Sequence, residues 1–174
     1  MRGGWLTLAA AAVLPAAALP LAAQPADPAL SLDARAGISL PPALCAMRQE
    51  RVDTSPDALY AIYRLSGAST LRIYVGRASQ SVAAAFADEE RSIRNYFFEI
   101  VLMRELAPPP GVSDARGRLW QGYLDTSRVV TGMWLWHHDG LRIKLRGTVP
   151  HGEGDRLWSE IECAVRALTA PAAN

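Results

Sequence analysis

The sequence predicts an α+β domain in which one antiparallel sheet of about five to six strands carries a long central helix and a C-terminal helix. Three observations predict it. Apolar and polar residues alternate in the hairpin-like pair Leu59 to Leu65 and Thr70 to Val75, and again from Arg118 to Val149. Between them, Val82, Phe86, Ile93, Phe97, Ile100, Val101 and Arg104 fall close to one helical stripe. Near the end, Leu157, Ile161, Ala164, Val165 and Leu168 form a second stripe.

The chain has 174 residues, with 50% hydrophobic and 20% charged. Met1 to Ala23 has one charge, Arg2, followed by an Ala/Leu-rich run that Pro15 and Pro20 interrupt and that ends in small residues, so residues 1–23 are expected to be a secretory signal peptide. The run is shorter than the roughly 20 residues of a spanning helix, which argues against a membrane anchor. No cysteine lies at lipobox distance, because the first is Cys45. Residues 24–36 mix Pro, Ala and Asp without periodicity and read as a flexible lead-in, and residues 37–170 as one domain. The expected address is the periplasm or the medium, with no stable membrane insertion after cleavage.

An exported chain with only Cys45 and Cys163 is expected to join them in a disulfide. There is no CxxC pattern that would favour a redox pair. The bond would tie the first and last structured pieces together.

Within the domain, Ala46 to Val52 allows a short edge strand before the turn residues around Pro56. In the hairpin that follows, Leu71, Ile73 and Val75 share one face, while Thr70, Arg72 and Tyr74 share a half-polar one. Ser79 or Ser81 can cap the long helix, expected to run to about Leu106, where Pro108-Pro109-Pro110 forbids continuation. Arg118 to Leu124, Val129 to Trp136 and Leu141 to Val149 read as a meander, its last turn made by Asp139-Gly140. That turn sets a register with Trp136 facing Ile143 and Trp134 facing Leu145 on the core side. On the opposite side it pairs His137 with Arg142, Leu135 with Lys144 and Met133 with Arg146. Asp155 can cap the final helix.

The order of elements, together with Leu40-Pro41, Tyr63, Thr70 to Val75 and Lys144-x-Arg146-x-Thr148 before the Trp158 helix, resembles uncharacterised exported proteobacterial proteins and the broader Mog1/PsbP-like α/β/α sandwich group. The resemblance implies a sandwich fold and carries no shared catalytic residues. The loop at Pro108 to Pro110 and the cysteine pair depart from that group.

Function is constrained mostly by exclusion. The 18 basic residues include Arg2, so the expected mature chain holds 17 against 17 acidic residues, a neutral balance that removes the footprint of a general nucleic-acid binder. GxGxxG, GxxxxGK[ST], HExxH, GxSxG and EF-hand patterns do not occur, so no cofactor is implied. His137 and His138 are adjacent strand residues pointing to opposite faces, a poor start for a metal site. What remains is the basic row Arg142, Lys144 and Arg146 beside His137, which could bind an anion or pair with helix carboxylates such as Glu160 or Glu162. Trp120, Trp134, Trp136 and Trp158 could stack on a ligand, although two of them already have core positions. The expected function is a non-catalytic periplasmic binding or accessory module for an envelope protein or a small anionic ligand. The alternative is a small hydrolase or transferase, which would need a cleft with converging carboxylates or histidines.

Overall fold

The computed structural model describes residues 40–55 and 57–169. The expected signal peptide and lead-in lie outside the described residues. The sheet has eight antiparallel strands, not five to six. They are β1 (Ala43–Leu44), β2 (Met47–Thr54), β3 (Ala58–Arg64), β4 (Thr70–Arg77), β5 (Glu99–Glu105), β6 (Arg116–Leu124), β7 (Ser127–His138) and β8 (Leu141–Pro150). Two helices, α1 (Val82–Tyr96) and α2 (Gly154–Thr169), accompany them.

The spatial order is β1-β2-β3-β4-β8-β7-β6-β5. Two four-stranded meanders therefore meet at a β4–β8 seam, and α1 is the long connection that carries the chain from the seam to the far edge. The β7–β8 turn takes the form its residues require: Asp139 and Gly140 both have positive φ, 48° and 75°. His138 consequently pairs with Leu141 and Trp134 with Leu145, the register that the Asp-Gly turn dictates.

The helix expected to reach Leu106 ends at Tyr96 instead. Phe97 is extended, and Glu99–Glu105 forms the edge strand β5 against β6. Leu102, Met103, Arg104 and Glu105 are good helix formers, so local preference points the wrong way here. Pairing with β6 supplies a ladder of backbone hydrogen bonds that overrides it, and a bulge between Ile100 and Leu102 absorbs the misfit between the two repeats. At the other edge, the short strand expected at Ala46 to Val52 is eight residues long and is paired on both sides, by β1 and β3.

Each face of the sheet has its own core. On one, α2 buries Leu157, Trp158, Ile161, Ala164, Val165 and Leu168 against Leu71, Ile73, Ile143, Leu145 and Val149. Full burial of such side chains stabilises by about 1.5–3 kcal/mol each. The close approach depends on Gly132 and Gly147, which face each other across β7 and β8 and leave a bare slot for the rings of Trp158 and the branches of Ile161. On the other face, α1 packs Ala85, Phe86 and Ile93 onto Trp120, Met133 and Leu135. Ser81 caps α1 by accepting from the Ala84 amide.

Cys45 and Cys163 form a disulfide, with Cα atoms 6.2 Å apart. It links the β1–β2 turn to α2. Such bonds persist in oxidising compartments, and no helix among the described residues is long and apolar enough to cross a membrane.

Candidate functional site

Strand alternation across the β4–β8 seam places one set of side chains on the α1 face. Tyr74 lies directly opposite Lys144, and Arg72 directly opposite Arg146. Because α1 crosses toward β5, it covers β6 and β7 and leaves the β4 side of this face open. The result is an open groove of about 610 Å³. Lys144 and Arg146 form its floor, Arg72 and Tyr74 one wall, and Glu89, Ser92 and Tyr96 of α1 the other, with Leu124 and Asp125 closing one end.

Two neighbouring carboxylates hold α1 in place beside the groove. Glu89 accepts from Lys144 Nζ at 2.7 Å, and Glu90 accepts from Arg118 at 2.6 Å and Arg94 at 2.8 Å. For Glu90, burial pushes the carboxyl up, but the hydrogen bonds from Arg94 and Arg118 outweigh it and hold the group below its ordinary value. Lys144 also sits over the Tyr74 ring, 4.1 Å from its centroid, and Tyr60 packs against Tyr74 at 4.6 Å. Burial lowers the Lys144 pKa; Glu89 opposes that shift without cancelling it, and Arg142 and Arg146 add to it.

The arginines are the exception to this pairing. Arg72 and Arg146 are like charges directly opposite one another, an arrangement that destabilises a sheet unless something intervenes. Among the described residues no carboxylate bridges either of them, and Arg146 Nε is buried without an acceptor. Burial, then the neighbouring Arg72, pushes the Arg146 pKa down. A leftover buried donor of this kind costs about 1–3 kcal/mol, so the groove favours an anion chemically.

Of the sequence-predicted residues, Lys144 and Arg146 lie in the groove. Arg142 and His137 form the next cross-strand pair and do not line it; His137 Nε2 is buried without a partner. The carboxylate that pairs with the basic row is Glu89 of α1, rather than Glu160 or Glu162. Those two lie on α2, across the sheet, where Glu160 accepts from the Ala46 amide and Glu162 from Trp158 Nε1. Trp120, Trp134, Trp136 and Trp158 are all buried, and Trp134 and Trp158 stack at 5.8 Å, so among the described residues no indole offers a free face in the groove. Sequence reasoning missed Arg72, Tyr74, Glu89 and Tyr96. Arg72 and Tyr74 were visible as a polar strand face, but nothing local announced that β4 would pair with β8. The groove holds no histidine, and its one enclosed carboxylate is committed to Lys144. Comparison of the chain with protein-family models and with curated proteins finds no match in either.

Proposed function

We propose that the chain is a non-catalytic binding module of the periplasm or the extracellular medium that takes a small anionic ligand in the groove between α1 and the β4–β8 seam. The single observation that carries this reading is the Arg72–Arg146 pair: two guanidiniums opposed across the strands, one with a buried donor left over. A phosphate or a carboxylate bridging the two guanidiniums would replace a repulsion with two charge-assisted contacts. The disulfide supports the compartment, and the spare volume supports a ligand of metabolite size, since small-molecule sites occupy roughly 300–1,000 Å³.

Isothermal titration of the purified protein with inorganic phosphate and with citrate tests it. Binding should be measurable in the wild type and should weaken at least about tenfold in Arg72→Ala and in Arg146→Ala, the cost of one lost charged hydrogen bond. No heat from either anion, or equal affinity in all three proteins, would remove the reading.

A further inference from the structure

Of the 18 basic residues in the chain, 17 are arginine and one is lysine, and the lysine is the one on the floor of the groove. The contrast is sharpest on α1, where Glu90 is held by arginines and the adjacent Glu89 by Lys144. A guanidinium could anchor the helix equally well at both places. What a guanidinium cannot do is lose its proton near neutral pH and act as a nucleophile, which an amine can.

We infer that Lys144 is a covalent capture point, at which the amine condenses reversibly with the aldehyde of a small anion seated on Arg72 and Arg146. The inference rests on the anion-binding reading of the same groove and adds the chemical class of the ligand. Three features support it. The Lys144 side chain is only 15% exposed, so desolvation favours its neutral form, and the flanking Arg142 and Arg146 work in the same direction. Glu89 Oε1, at 2.7 Å, is within proton-transfer distance of Nζ. Arg146 is two residues along the same strand, about 6.5–7 Å away, a spacing that suits a carbonyl and an anionic group on one small molecule.

The step balances without any further reagent. The neutral amine attacks the carbonyl carbon, forming the C–N bond, and the carbonyl oxygen becomes a hydroxyl as Glu89 relays the amine's proton to it. That hydroxyl then leaves as water, taking the proton that Glu89 had removed from the Lys144 ammonium to free the amine, so that ammonium and aldehyde are the net reactants. The products are a protonated imine and one water, with no change of oxidation state.

Pyridoxal 5′-phosphate is a suitable probe, because the imine absorbs visibly and borohydride fixes it for peptide mass spectrometry; pyridoxal is its phosphate-free counterpart. With full-length protein at neutral pH, the adduct should map to Lys144. It should form at least about tenfold more favourably than with Nα-acetyl-lysine, and at least about tenfold more favourably with the phosphorylated aldehyde than with pyridoxal. Arg72→Gln, at an exposed position, should abolish most of that phosphate preference. Lys144→Arg should lose the strand adduct while still binding inorganic phosphate by calorimetry. An adduct confined to the N-terminal amine, a Lys144 no more reactive than the free amino acid, or indifference to the phosphate would overturn the inference. In each of those cases phosphate binding by the wild type would leave the anion-binding reading standing.

Discussion

At the scale of single residues, most buried polar groups among the described residues are satisfied one by one. Of the four exceptions, Ser69 Oγ, Trp120 Nε1, His137 Nε2 and Arg146 Nε, only the last lies in a strand of the seam. Tyr63 shows how complete the satisfaction is elsewhere. Its fully buried phenol donates to the Pro41 carbonyl at 2.8 Å and accepts from Gln49 at 3.2 Å, so it pins the chain ahead of β1 to the sheet. Burial pushes its pKa up to about 12, partly offset by the Gln49 hydrogen bond. An unfolded tyrosine ionises near pH 10, so the native state alone stays protonated between about 10 and 12. Stability contributed by Tyr63 is therefore intact below pH 10 and is lost as pH rises through that window, on the order of 2–3 kcal/mol in total. Urea unfolding from pH 9 to pH 12 should show the fall in the wild type and a shallower one in Tyr63→Phe; parallel curves would show that the phenol is not the titrating group. Arg146 stands at the opposite extreme, with a buried Nε that no protein group accepts from.

At the scale of elements, α2 and the β7–β8 pair are matched by absence as much as by contact. Gly132 and Gly147 remove two side chains at the same cross-strand position, and the Trp158 ring fills the slot. A methyl at Gly132 would run into Trp158 Cη2, and a stacked Trp134 restricts the ring's retreat. Gly132→Ala should cost about 1–3 kcal/mol or more, read as a lower urea midpoint at unchanged m-value. An unchanged midpoint would mean that the slot is looser than its geometry. The tail of the expected long helix teaches the complementary lesson. Phe97, Ile100, Val101 and Arg104 satisfy a helical stripe on paper, yet once Phe97 is extended the same residues satisfy a bulged strand. Periodicity alone does not separate the two when a bulge breaks the strand's alternation. Edge protection survives the exchange, because the bulge and the charges of Glu99, Arg104 and Glu105 interrupt further pairing.

At the scale of the whole molecule, the disulfide closes a loop of 118 residues between the first strands and the last helix. Chain entropy assigns about 4.7 kcal/mol to loops of this order. The Cys45→Ser/Cys163→Ser double variant should keep the fold in cold buffer and lose several kcal/mol, seen as a lowered thermal midpoint; equal midpoints would show that α2 packing alone secures the ends. The sequence by itself determined the cysteine pairing, the Asp139-Gly140 turn with the register of Trp134 and Trp136 against β8, the apolar stripe of α2, and the basic row containing Lys144 and Arg146. Each of these is local, or settled by there being only one choice: two cysteines have one partner each, and a two-residue turn dictates its own ladder. Tertiary structure alone decided that eight strands form one sheet, that Glu99–Glu105 joins its edge, and that β4 meets β8 so that Arg72 confronts Arg146. The reason is physical: a strand's partner is set by free energy gained between residues far apart in the chain, and no window of sequence contains both sides of that contact.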